Sequence, residues 1–179
     1  MKYFNELNKI KIDAPTVVAI GKFDGLHLGH RKLVDKMLSL KEELGAPYET
    51  CVFLITGATC GEPIYTPKER ITRMQALGID NVVECRFTDD LRTMSAEDFL
   101  KNVLLEKIGA KYIVAGPDLR FGYQGIGDVD FLRKYEKQES FELIVIDKLC
   151  YKGSEISSTR IKQCFQSGNE EDAKAMLGE

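Results

Sequence analysis

Short apolar runs rich in β-branched residues alternate along this chain with stretches of helical spacing. TVVAI (16–20), ETCVFLIT (49–56), NVVECRF (81–87), KYIVAG (111–116) and FELIVIDKL (141–149) are the apolar runs. Continuous apolar character, rather than alternation with polar residues, is the mark of a strand buried on both faces of a parallel sheet. Between the first two runs, Leu28, Leu33, Met37, Leu40 and Leu44 recur at helical spacing, and Gly45 stands where a helix end favours glycine. Thr66 and Pro67 have the order of an N-cap and first helical residue ahead of KERITRMQALG. Ser95 and Asp98 open SAEDFLKNVLLEKIG in a capping-box-like pattern, and Gly109 closes it. GDVDFLRKYEKQ, ISSTRIKQCFQSG and NEEDAKAMLG read as three further helices. Strand–helix alternation of this kind builds βαβ units, and right-handed crossovers then give an α/β fold: a doubly wound, Rossmann-like parallel sheet of about five strands with helices on both faces. No repeat, low-complexity tract or linker divides the chain, so the expectation is one domain over residues 1–179. The irregular segments are 57–65 and the Gly-rich 116–128.

In such folds ligands gather beyond the carboxyl ends of the strands. The stretch after the first strand is 21-GKFDGLHLGH-30, and it holds both histidines of the chain. A strand-to-helix turn offers unpaired backbone N–H groups to an anion, and glycine lets a ligand approach that backbone. The pattern is neither GxxxxGK[ST] nor GxGxxG. With a helix beginning near residues 26–28, His27 and His30 share one face about one turn apart. Two imidazole donors beside an anion hole suit phosphate chemistry, where charge develops on phosphorus. Two other readings stay open at this stage: a capping or packing histidine with a solvated partner, and a zinc pair, for which no Cys or acidic ligand set lies nearby.

The net charge of −3 provides no basic field for nucleic acid, and no apolar run approaches the roughly 20 residues that span a bilayer. The N-terminal MKYFNELNKI lacks the apolar stretch of a signal peptide. Cys51, Cys60, Cys85, Cys150 and Cys164 form no CxxC pair, which fits reduced thiols and a cytoplasmic location. The sequence leaves the oligomeric state open.

GKFDGLHLGH resembles the HxGH signature of the nucleotidyltransferase superfamily. GPDLRFGYQGIGD (116–128) is similar to the G-x-D-F-R-F-G segment of the FMN adenylyltransferase module of prokaryotic FAD synthetases. EISSTRIKQCFQSGNEEDAKAMLG (155–178) resembles that module's closing I-S-S-T-R-I-R segment and short helix, and MSAEDFLKNVLLEKIGAKYIVAG resembles the segment before the flavin loop. The likeness runs from about residue 14 to 178.

The resemblance implies transfer of AMP from Mg-ATP to FMN, giving FAD and pyrophosphate, with Mg²⁺ held mostly by ATP oxygens. It implies catalytic roles for His27, His30 and Arg160. ATP would be bound by Gly21, Phe23, Asp24, Gly29, Ser157, Ser158 and Thr159. The flavin or other acceptor would be bound by Asp118, Arg120 and Phe121, and no protein metal site is expected. For Asp24 a helix cap near Leu26 is the alternative role, for Phe121 a core plug, and for Ser157 and Arg160 an N-cap beside a solvated arginine. Three departures from the pattern fall on the acceptor side. FLITGATCGEPIY carries no Asp-Pro-His. YQGIGD replaces a basic K-x-R-x-G-D, and Leu119 stands for an aromatic. The chain stops at Glu179, where a riboflavin kinase module follows in the bifunctional family, so none is expected here. These departures keep two other functions in view: a nucleotidyltransferase with a different phosphorylated acceptor, and a non-catalytic nucleotide sensor.

Overall fold

The structure, a computed structural model, describes residues 1–57, 62–86 and 89–179, with the backbone alone at 89 and 90. Residues 58–61 of the irregular segment 57–65, including Cys60, and Phe87 of the third apolar run lie outside the described residues.

Six parallel strands form one sheet: β1 (Lys2–Phe4), β2 (Thr16–Gly21), β3 (Glu49–Thr56), β4 (Asn81–Arg86), β5 (Ala110–Ala115) and β6 (Glu142–Val145), in the order β1-β4-β3-β2-β5-β6. The doubly wound α/β expectation holds, with one strand more than anticipated. That strand, β1, has three residues at the sheet edge beside β4, too few to show a period. The fifth apolar run makes a shorter strand than its length suggests. Beyond it the chain leaves the sheet and folds into an antiparallel hairpin, β7 (Cys150–Tyr151) and β8 (Ser154–Glu155). Its two-residue turn puts Lys152 (φ 49°) and Gly153 (φ 78°) in the left-handed region, as a tight right-twisted hairpin requires.

Helices cover both faces. On one, α1 (Leu28–Leu44) and α2 (Pro67–Ala76) lay Leu33, Val34, Met37, Leu40 and Met74 against Val17, Ala19, Val52, Leu54 and Val82. On the other, α5 (Val129–Glu136) and the segment Phe99–Lys107 pack Leu132, Phe99, Leu100, Val103 and Leu104 onto Val18, Ile20, Phe53, Val83 and Ile113. A short α3 (Asp89–Thr93) precedes α4 (Ala96–Asp98), where Ser95 caps as expected, its hydroxyl accepting from the Asp98 N–H at 2.9 Å. The helix then widens into a π-helix over Phe99–Lys107. Over nine residues the apolar spacing does not separate 3.6 from 4.4 residues per turn. In this segment Phe99 packs on Phe53 (5.1 Å between ring centres) and on Phe121 (5.4 Å).

Helix α2 begins as the sequence indicates. The Thr66 hydroxyl accepts from the Glu69 N–H at 3.3 Å, and the Glu69 carboxylate accepts from the Thr66 N–H at 2.8 Å. Thr66→Ala removes this cap and is expected to cost about 1 kcal/mol, readable as a melting temperature lower by roughly 2–4 °C. A melting curve unchanged from the native protein's would remove the cap from the helix's stability.

From β2 the chain winds outward through β3 and β4, then re-enters on the opposite side of β2 as β5 and β6. The crevice between the ends of β2 and β5 is therefore the switch point where this architecture holds ligands. Two closing helices, α6 (Ser158–Gln166) and α7 (Glu170–Leu177), stand beside that crevice, burying Ile161, Ala173, Met176 and Leu177 near Leu28, Ile64 and Tyr65.

Candidate active site

The turn after β2 is tightly held. Phe23 (φ 47°), Gly25 (φ 85°) and Leu26 (φ 44°) all occupy the left-handed region. A non-glycine residue there costs about 1 kcal/mol or more, so surrounding contacts must impose it. Phe23 and Leu26 are buried and the Asp24 backbone and side chain are anchored. The Asp24 carboxylate accepts from the Ile64 N–H at 2.8 Å and pairs with the Lys162 ammonium at 2.6 Å. The Asp24 carbonyl accepts from the Ser158 hydroxyl at 2.7 Å. Gly25 admits no side chain, because a Cβ would lie 2.7 Å from Ile64 Cδ1. Asp24 is thus a three-way tie between the turn, the segment before α2 and the start of α6. It is not the cap of α1, the alternative role weighed for it.

That cap is His27. Its Nδ1 accepts from the His30 N–H at 3.3 Å, which leaves the proton of the neutral ring on Nε2. The rings of His27 and His30 stack with centres 3.7 Å apart, and Phe23 closes the far side of His30 at 4.9 Å. Gly29 makes room for the His27 ring, which a Cβ there would meet at 3.2 Å. Gly21 accommodates the Phe23 ring in the same way, at 3.1 Å.

Burial pushes His27 down from 6.5 to about 4, against the pull of Asp24, and pushes His30 well below its ordinary value, assisted by His27. Both rings are therefore neutral near pH 7 without ligand. The unfolded chain takes up protons on both histidines as pH falls below 6.5, whereas folded His27 does so only near 4. Stability should then fall as pH is lowered from 7 toward 4. We expect the melting temperature to drop across that window, and to drop less in a His30→Ala variant. Identical slopes for the two proteins would contradict the depressed histidines.

The second expected anion segment reaches the first through Ser158. Ser157 caps α6, its hydroxyl accepting from the Arg160 N–H at 3.2 Å, and Thr159 is exposed. Arg160 is turned toward the hairpin, where its Nη1 donates to the carbonyls of Tyr151 (2.9 Å), Ser154 (2.7 Å) and Glu155 (3.3 Å). The guanidinium thus gathers three carbonyls of the hairpin that precedes its helix. Lys162, overlooked in the sequence, does reach the histidine turn, through its ion pair with Asp24. It lies four residues after Ser158, on the same face of α6, and that spacing was the available signal.

The third segment divides. Asp118 and Arg120 line a cavity of about 540 Å³ with Pro117, Asp147, Lys148, Cys150 and Glu155. Asp118 pairs with Lys148 at 3.1 Å, and Arg120 lies 3.9 Å from Asp128. Phe121 is not in this cavity. It is buried against Phe99 and Phe131, bridged through its backbone to Gly127, and a Cβ at Gly127 would strike its ring at 2.5 Å. The bridge turns the ring toward the sheet, so Phe121 is the core plug rather than a flavin platform. Phe121→Ala should cost about 3–5 kcal/mol of stability. Chemical denaturation reads that loss, and a variant as stable as the native protein would return Phe121 to the surface.

Among the described residues no group of three or more His, Cys, Asp or Glu could hold a metal ion, and no helix is long and apolar enough to cross a membrane. Cys51, Cys85, Cys150 and Cys164 are free thiols, the first two buried.

A family model described as FAD synthetase matches residues 9–160. Among curated proteins, the bifunctional riboflavin kinase/FMN adenylyltransferase of Buchnera aphidicola subsp. Schizaphis graminum is 32% identical over 178 residues, covering 96% of this chain and 57% of its own length. Its counterpart in Escherichia coli K12 is 29% identical, covering 90% and 54%. The chain spans a little over half the length of the curated relatives it matches. A crystal structure described as a macrolide-efflux protein from Streptococcus pneumoniae superposes with a TM-score of 0.85 at 24% identity, over 98% of this chain and 59% of that one. At that identity the likeness speaks for the fold alone.

Proposed function

The chain belongs to the FAD synthetase family, and from that membership we propose that it is a nucleotidyltransferase that moves AMP from ATP to FMN, releasing pyrophosphate and FAD. The observation that carries this reading is the joining of two anion-binding segments into one site by Asp24, through Ser158 and Lys162. In the reaction a phosphate oxygen of FMN attacks the α-phosphorus in line. A new P–O bond forms as the bond to the bridging oxygen breaks, and pyrophosphate takes the electron pair. The protein positions reactants and stabilises charge. His27 and His30 donate to the triphosphate, His30 chiefly as charge grows in the transition state. Gly21, Phe23, Gly29, Ser157, Ser158 and Thr159 form the walls of the ATP site. Lys162 exchanges part of its attraction to Asp24 for the phosphates. Arg160 braces the hairpin beside them. Mg²⁺ enters with ATP, its ligands mainly phosphate oxygens and water. A cytoplasmic location suits ATP as substrate and the free thiols.

The test is to incubate the protein with Mg-ATP and FMN and to separate the products by chromatography. FAD and pyrophosphate in equal amounts are expected. A second reading, the same transfer to another phosphorylated acceptor, draws on Phe121, whose burial removes one expected flavin contact. Pyrophosphate release that needs an acceptor other than FMN would favour it. ATP binding with no turnover for any acceptor would make the protein a sensor.

A further inference from the structure

Helix α2 lays a charge on an otherwise apolar layer. Arg70 stands one turn before Met74, on the face that α2 turns to the sheet, and its side chain is 7% exposed. Its partner is Glu84 of β4, whose side chain is 12% exposed, with Arg70 Nη2 2.8 Å from Glu84 Oε1. Strand side chains alternate, so Glu84 shares the face of Val82, where Leu54 and Met74 also pack. The other Glu84 oxygen accepts from the Tyr3 hydroxyl at 2.8 Å, which ties in the edge strand β1. Among the described residues Arg70 Nε is buried without a partner. Stability does not account for such a pair, because well-packed apolar side chains of similar volume often replace a buried ion pair without loss. A hydrogen bond has a narrow range of length and angle, so it fixes one register of helix on sheet where apolar contact would permit sliding.

That register reaches the histidine turn. Strand pairing sets Glu84 beside Leu54, and Leu54 beside Gly21, where the turn begins. The ion pair therefore lies on the turn's own level, two strand spacings or about 10 Å away. The Arg70 N–H donates to the Thr66 carbonyl at 3.0 Å, so Arg70 belongs to the first turn of α2. Two residues before Thr66, Ile64 meets the histidine turn twice. Its N–H donates to the Asp24 carboxylate at 2.8 Å, and its Cδ1 covers Gly25 so closely that a Cβ there would lie 2.7 Å away. Sliding α2 along the sheet would drive Ile64 into Gly25 or draw its N–H off Asp24.

We propose that Arg70 is a positioning residue for AMP transfer: paired with Glu84, it sets where α2 stands on the sheet, and Ile64 passes that setting to Asp24 and the imidazoles. The inference rests on the FMN adenylyltransferase reading, and Arg70 acts in it through Ile64 rather than on substrate.

The test is the double variant Arg70→Met/Glu84→Leu, which removes both charges and keeps apolar bulk in their place. Its melting temperature should stay within about 4 °C of the native protein's. Its kcat for FAD formation should fall about tenfold, while ATP affinity by calorimetry changes less than about twofold, because misplacing a catalytic group costs more in the transition state than in binding. Arg70→Lys, which keeps a charged donor for this single bond, should recover most of the loss. The chain has two histidines, and they give a readout that needs no turnover. Their ring-proton resonances, spread by the packing of His27, His30 and Phe23, should move toward unstructured-chain values in the double variant and stay near native values in Arg70→Lys. Native kcat in the double variant would overturn the inference, and so would a loss of kcat with the histidine resonances unmoved. Should the double variant not fold, Arg70→Gln is read by the same two criteria. If the native protein makes no FAD, the functional reading fails, and the histidine resonances still decide whether Arg70 sets the turn.

Discussion

His30→Ala should lower the turnover of FAD formation by two to three orders of magnitude while ATP affinity changes by less than about threefold, the size of effect seen when one preorganised donor to a developing charge is removed. The structure gives reasons for that split. His30 is packed between His27 and Phe23, so its ring is fixed before any ligand arrives. Among the described residues its Nδ1 is buried without a partner, and Nε2 is the edge expected to meet substrate. The ring is neutral in the empty site and donates without first losing a charge to water. The start of α1 should survive the substitution, because its cap uses the backbone N–H of residue 30 and the side chain of His27. Calorimetric titration with ATP and a pyrophosphate-release assay test the split directly. Equal losses in binding and turnover would make His30 a ground-state contact only.

Asp24→Ala should lower stability by about 3–5 kcal/mol and remove activity. Breaking one partner of a buried ion pair leaves the other uncompensated, and here the side chains of Asp24 and Lys162 are only 6% and 21% exposed. The Ile64 N–H would also lose its acceptor, which is part of that cost. For a chain of this length each kcal/mol moves the melting temperature by about 2–4 °C, so a drop of roughly 6–20 °C is expected. Asp24→Asn retains an acceptor for Ile64 and loses the charge, so it should fall between the two. A melting temperature within about 2 °C of the native protein's would show that Asp24 does not hold the three segments together.

Much of this architecture is legible in the amino-acid sequence. Four strands are buried on both faces and therefore appear as uninterrupted apolar runs, and the caps at Thr66 and Ser95 and the glycine at 45 act within one helical turn. The histidine turn was equally legible, since its glycines and imidazoles lie within ten residues. The β1 edge strand and the β7–β8 hairpin were not, being too short for a period. The width of the turn in Phe99–Lys107 was not either, because nine residues are too few to separate the two periods.

The site shows the same division. Residues 21–30 and 157–160 are each expected from sequence to bind an anion, yet Ser158 lies 134 residues from its partner Asp24. Nothing local told Lys162 from Arg160, or turned Phe121 inward. Alone, the sequence determined the order of strands and helices, where helices start, and which turn carries the imidazoles, because these follow from short-range periodicity and hydrogen bonding. Only the tertiary structure decided which side chains of these segments come together. That choice depends on which distant carbonyls, carboxylates and apolar surfaces the completed sheet brings alongside them.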